Sequence, residues 1–185
     1  MFTQVATLLH EHGTVGVLPT DTVYGLVARA HDQAAVERLY RLKSRDHKPG
    51  TVIAASINQL VELGIKRRYL TAVDRYWPGA VSVVIPCGPE LSYLHQGKGS
   101  LAVRIPDNAE LRQLLDKTGP LVTSSANQPG APTANTVAEA RSYFGDRIDF
   151  YEDGGNLSQQ QPSTVVRIVD DAVVVLRPGA VTIEV

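Results

Sequence analysis

A single cysteine, Cys87, cannot close a disulfide within the chain, and its solitude fits a reducing compartment. Excess charge is also lacking. Eighteen Lys and Arg stand against nineteen Asp and Glu, a formal net charge of −1. The molecule as a whole is therefore no basic nucleic-acid binder, and any positive patch must be local. The longest apolar runs are of strand length, far below the roughly 20 residues of a membrane span. Met1-Phe2-Thr3-Gln4 carries neither a charged n-region nor a long apolar h-region, so no signal peptide is expected. The expected location is cytoplasmic, with no membrane partner.

The sequence also lacks the motifs that announce common chemistries. It holds no G-x-x-x-x-G-K-[ST] and no G-x-G-x-x-G, which excludes a P-loop and a dinucleotide fingerprint. His12, His31, His47 and His95 are isolated, and His10 and His12 point different ways on a helix, so no zinc pattern forms and no metal site is expected. Ser124 and Ser125 lie in no G-x-S-x-G elbow.

What is present is the composition of a globular protein, 43% hydrophobic and 20% charged over 185 residues. That is enough for one domain over 1–185 with a real core. Helical spacing of Val5, Leu8 and Leu9 predicts a helix over 3–12, stopped by Gly13. Strands are predicted over 15–18, 51–55, 81–85, 101–105, 121–123, 147–151, 164–169 and 172–176. Asp32 should cap a helix over 33–43, Ser56 a short helix, and Asp107 should start a helix over 108–117. Thr136 and Glu139 form a capping box for a helix to about Phe144. Residues between Pro86 and Ser100 read as loop, and Asp170-Asp171 as a hairpin turn. Helices alternating with strands, and strands clustered late, predict an α/β fold with a mixed sheet.

Three segments concentrate polar groups. Lys43-Ser44-Arg45 and Lys48-Pro49 put cations where a helix ends and the chain turns into a strand. Arg38 and Arg41 precede them on the helix. Such cations either solvate a turn or converge on one anion, for which Arg offers bidentate bonds and Lys a compact charge. Thr20-Asp21-Thr22 lies where strand 15–18 ends, and ligands of open α/β sheets gather at carboxyl ends of strands. Thr123-Ser124-Ser125-Ala126-Asn127 is a second hydroxyl-rich turn. For both, side chains that satisfy their own backbone are the structural alternative to ligand binding. Tyr24 suits the core. Arg104, in Leu101-Ala102-Val103-Arg104-Ile105, faces solvent or an anion. Together these segments describe a site for a polyanion and a small polar molecule, with no paired nucleophile and base.

Pro19-Thr20-Asp21-Thr22-Val23-Tyr24-Gly25-Leu26, Lys43-Ser44-Arg45, Ala102-Val103-Arg104-Ile105-Pro106, Ser124-Ser125-Ala126-Asn127, Pro162-Ser163-Thr164-Val165 and Arg177-Pro178-Gly179 follow one another over nearly the whole chain. In that order they resemble the YrdC-like family, threonylcarbamoyl-AMP synthases of the TsaC type. The resemblance implies a single-domain twisted open mixed sheet with flanking helices and a concave basic site. It implies that L-threonine, bicarbonate and ATP are combined into L-threonylcarbamoyladenylate and diphosphate. It further implies Mg²⁺ carried by ATP, and a downstream tRNA threonylcarbamoyl transferase complex that modifies adenosine 37. By position, ATP maps onto Lys43, Arg45, Lys48, Ser100, Ser125, Asn127, Thr133 and Arg177, with Lys43 and Arg45 catalytic. Threonine maps onto Thr22, Arg104, Thr123 and Ser163. Asp21 stands where Glu is more usual, Asp46 where Pro often follows the K-x-R, and Ile53 where some relatives carry His. The alternatives are an RNA-binding module of this fold, with weak tRNA or RNA affinity, and a paralogue without adenylate-forming activity.

Overall fold

The computed structural model describes residues 2–44, 48–170 and 172–183. In chain order the elements are α1 (Thr3–His10), β1 (Val15–Pro19), β2 (Tyr24–Arg29), α2 (Gln33–Leu42), β3 (Thr51–Ile53), α3 (Ile57–Leu63), α4 (Arg67–Thr71), β4 (Val81–Pro86), α5 (Ser92–His95), β5 (Ser100–Arg104), α6 (Ala109–Thr118), β6 (Leu121–Ser125), α7 (Val137–Phe144), β7 (Phe150–Tyr151), β8 (Thr164–Val169) and β9 (Ala172–Arg177). The strands join one sheet in the order β7-β1-β2-β6-β3-β5-β4-β8-β9. Pairings β1–β7, β3–β5 and β4–β8 are parallel and the others antiparallel, so the sheet is mixed, as expected.

Local chemistry sets the helix starts. Asp32 accepts from the Ala35 amide at 3.0 Å, and Ser56 from that of Gln59 at 3.3 Å. The cap of α6 is Asn108, accepting from Leu111 at 2.9 Å, one residue beyond the expected Asp107. Thr136 accepts from the Glu139 amide at 3.2 Å, but Glu139 reaches back to the amide of Asn135, at 2.7 Å, so the box is displaced by one residue.

Residues 24–29 carry no alternation, yet they form β2. All but Arg29 are buried, because a strand covered on both faces needs no polar side. The stretch read as loop before Ser100 contains α5, whose four residues are too few for a periodic signal. The strand expected over 147–151 shortens to Phe150–Tyr151, since a 3-10 turn takes Gly145–Arg147.

The two sheet faces have different fates. Val17, Leu26, Val52, Val83, Val103, Val122 and Val166 point to one side and form the main core with α2, α3, α4, α5 and α7. On the other side Leu18, Val27, Ile53 and Leu121 pack only under α1 and α6, through Phe2, Val5, Leu9, Leu111 and Leu115. Burying each such side chain is worth about 1.5–3 kcal/mol. The rest of that second face, over β6, β3 and β5, carries Thr51, Ala102, Arg104 and Thr123, and it is there that a cavity opens.

Candidate functional site

A cavity of about 210 Å³ lies on this half-covered face. Its floor is Gly25, Thr51, Ala102, Arg104 and Thr123, which the register places side by side on β2, β3, β5 and β6. Its walls are Thr20, Thr22 and Val23 from the β1–β2 turn, Pro49, Ser124 and Ser125, and Pro162, Ser163, Val165 and Arg177 from β8, β9 and the segment before them. Drug-sized ligands occupy roughly 300–1,000 Å³. This space therefore suits a molecule of amino-acid size, while a nucleoside triphosphate would extend beyond it.

The site is on a sheet face and not in a crevice at the carboxyl ends of strands. Successive pairings make β5 run opposite to β1, so the ends of these strands lie at opposite ends of the sheet. The β1–β2 turn reaches Arg104 by folding over the face. Its shape is fixed by Thr20, whose Oγ1 donates to the Val23 carbonyl at 2.7 Å and accepts from the amides of Thr22 and Val23, both at 3.2 Å. Thr20 Oγ1 also meets Thr22 Oγ1 at 3.0 Å. This is turn chemistry and cavity wall at once, so the two readings of Thr20 and Thr22 are compatible. Gly25 has a reason in close approach: a Cβ there would lie 2.4 Å from Thr123 Oγ1.

Arg104 is 3% exposed, which excludes the solvent-facing reading. Its Nη2 lies 3.0 Å from Asp21 Oδ1, and Nη1 donates to Thr22 Oγ1 at 3.5 Å. Burial lowers the pKa of Arg104, the Asp21 carboxylate opposes that, and Arg177 lowers it further. Asp21 is raised by burial, against the pull of Arg104. Arg177 Nη2 donates to Ser163 O at 2.7 Å and to Ser163 Oγ at 3.2 Å, and Ser163 Oγ meets Ser82 Oγ at 2.9 Å. Two guanidinium groups thus share one polar cavity, an arrangement that can hold an anion against hydroxyl donors.

Of the expected threonine residues, the structure brings Thr22, Arg104, Thr123 and Ser163 together in this cavity. Of the expected ATP residues, Ser125 and Arg177 line it too. Ser100 shares the β5 face of Ala102 and Arg104 at the strand's far end. Thr133 is half-buried in the loop after β6, and Lys48 is exposed beside Pro49. Arg45, Asp46 and His47 lie outside the described residues. Lys43 is 4% exposed, and its ammonium donates to Ser125 O at 2.8 Å, Asn127 O at 2.6 Å and Asn127 Oδ1 at 2.8 Å. It therefore ties the end of α2 to the Ser125–Asn127 turn, where Ser125 Oγ also donates to Asn127 Oδ1 at 2.7 Å. Sequence reasoning gave no role to Asp21; the signal available was a carboxylate between two hydroxyls.

Tyr24 is fully buried, as expected, with its hydroxyl donating to Gly155 O at 2.8 Å and accepting from the Gly154 amide at 2.8 Å. No described helix is long and apolar enough to cross a membrane.

The Sua5/YciO/YrdC family model, described as "Telomere recombination", matches residues 9–179. The chain is 35% identical over 187 residues to a Bacillus subtilis protein named threonylcarbamoyl-AMP synthase, covering 98% of this chain and 54% of that one. It is 36% identical over 168 residues to a Klebsiella pneumoniae protein of the same name, covering 87% of each. Among solved structures, P. abyssi Sua5 complexed with L-threonine superposes with a TM-score of 0.83 at 31% identity, over 95% of this chain and 53% of that one. E. coli YciO superposes with a TM-score of 0.80 at 25% identity, over 95% and 87%. The chain thus spans about half the length of the B. subtilis and P. abyssi relatives.

Proposed function

The chain belongs to the Sua5/YciO/YrdC family, and from that premise we propose that it is an L-threonylcarbamoyladenylate synthase, a nucleotidyltransferase supplying tRNA N6-threonylcarbamoyladenosine formation. The observation that carries the reading is the pair of guanidinium groups, Arg104 and Arg177, set among hydroxyls in a cavity of amino-acid size.

In this reading L-threonine enters the cavity with its carboxylate on Arg104 and its hydroxyl and amine among Thr22, Thr123 and Ser163. The free amine adds to CO₂ and gives up a proton to become a carbamate, or condenses with bicarbonate with loss of water to the same product. A carbamate oxygen then forms a bond to the α-phosphorus of ATP, and the bond from that phosphorus to diphosphate breaks. No covalent enzyme intermediate is needed. The protein's task is to align two mutually repelling anions and to stabilise charge on the departing diphosphate. Arg177 borders both halves of the site. The triphosphate lies outside the small cavity, toward Lys48, Ser100, Ser125, Asn127 and Thr133. Lys43 shapes the Ser125–Asn127 turn that the nucleotide meets, and Arg45 supplies further positive charge. Mg²⁺ arrives with ATP. The labile product passes to a downstream tRNA threonylcarbamoyl transferase complex, and a basic concave face would allow weak contact with tRNA.

The test is diphosphate release by purified protein given ATP, L-threonine, bicarbonate and Mg²⁺, with each component omitted in turn. Release is expected only from the complete mixture. Release without threonine, or none at all, would refute the proposal.

A further inference from the structure

We infer that Asp21 is a positioning residue: its carboxylate fixes the Arg104 guanidinium in the orientation that receives the substrate's carboxylate. The inference rests on the amino-acid pocket proposed above and extends it to a residue that touches no substrate.

The stem of Arg104 is set by the sheet. It ends β5 opposite Ile53, and its carbonyl accepts from the Ala54 amide at 3.1 Å. The head, however, has four rotatable bonds and a second cation, Arg177, to avoid. What holds it is Asp21, whose side chain is 4% exposed and whose Oδ1 lies 3.0 Å from Nη2. Asp21 in turn is held by the Thr20-centred turn, which leaves little backbone freedom. The contact with Arg104 is an ion pair at 3.0 Å. The backbone amides of Asp21 and Asp107 also favour the charged carboxylate, which helps hold it in place, although none meets strict hydrogen-bond geometry among the described residues. With Nη2 on Asp21 and Nη1 toward Thr22, Nε is left buried without a hydrogen-bond partner among the described residues. A guanidinium held at both Nη groups cannot turn freely, so its remaining N–H bonds keep one direction toward an incoming carboxylate. The same carboxylate offsets the mutual repulsion of Arg104 and Arg177. Burial raises Asp21, opposed first by Arg104 and then by the backbone amides of Asp21 and Asp107, while the nearby Asp107 charge adds to the rise.

The experiment reads the guanidinium directly. In ¹⁵N-labelled protein without ligands, the Arg104 side-chain signals, assigned by Arg104→Lys, should show hindered rotation with separate Nη resonances. In Asp21→Asn these should average, and Asp21→Glu should restore them in part. By calorimetry with L-threonine alone, Asp21→Asn should raise Kd at least tenfold and Asp21→Glu less than threefold, with ATP affinity unchanged in both. A freely rotating guanidinium in the wild type would overturn the inference, and that measurement stands even if Asp21→Asn does not fold. So would a folded Asp21→Asn protein that binds threonine as the wild type does, whatever its Tm. A wild type with a locked Arg104 that releases no diphosphate would sink the synthase reading and leave the positioning role intact.

Discussion

Replacing Lys43 by Met keeps most of the aliphatic stem and removes the ammonium. Among the bonds that go with it are three at 2.8, 2.6 and 2.8 Å, to Ser125 O, Asn127 O and Asn127 Oδ1. A hydrogen bond to a charged group contributes about 1.5–3 kcal/mol, which for these three sums to about 5–9 kcal/mol. Both acceptor residues are half-buried, so water can reach part of what the lysine leaves behind. The bonds also act as one unit and do not add in full. A loss of about 2–4 kcal/mol follows, or about 5–15 °C in Tm at this chain length. Urea unfolding followed by circular dichroism measures the first and a thermal scan the second. Diphosphate release should fall as well, because the Ser125–Asn127 turn loses its tie to α2. A variant that keeps wild-type stability within about 0.5 kcal/mol while losing ATP binding would refute the anchoring role and leave Lys43 as a phosphate ligand alone.

Two further outcomes follow from local geometry. Asp32→Ala removes a helix cap and should lower stability by about 1–2 kcal/mol at neutral pH. Burial alone would raise the Asp32 pKa, but bonds from the Gly13 and Ala35 amides and the nearby His12 bring it below its ordinary 3.8. A depressed folded value means the unfolded chain binds the proton more tightly, so the wild-type advantage should be present above pH 3.8 and fade as pH falls through the lower folded value, as urea titrations at several pH values would show. Gly25→Ala puts a Cβ 2.4 Å from Thr123 Oγ1 and 3.3 Å from Thr20 Cγ2. Displacing Thr123 should cost about 1–3 kcal/mol and raise the KM for threonine, leaving that for ATP unchanged.

The elements that sequence reasoning located share a local cause. Asp32, Ser56 and Thr136 bond amides three residues on, and such bonds need nothing from the rest of the chain. The β8–β9 hairpin likewise pairs neighbours in sequence. β2 had no such signal, because its environment is made by β1, β6 and helices on both faces. The candidate site divides in the same way. Which residues carry charge and hydroxyls was plain from Thr20 to Arg177, and their order over the chain brought out the family. Where those groups point was not. Alternation left Arg104 as free to face water as to face a ligand, and only the tertiary fold brings Thr22 and Asp21 of the β1–β2 turn over it.

Propensity, capping and hydrophobic period act over a few neighbours, so the chain alone revealed most elements other than β2 and α5, the mixed α/β class and the cast of polar residues. The tertiary structure decided the partners. It buried Lys43 against Ser125 and Asn127, set Arg104 against Asp21 in a cavity that Arg177 also lines, and left part of one sheet face, among the described residues, without a helix. Those are contacts across roughly 80 residues of chain, fixed by strand order and register, which no local pattern encodes.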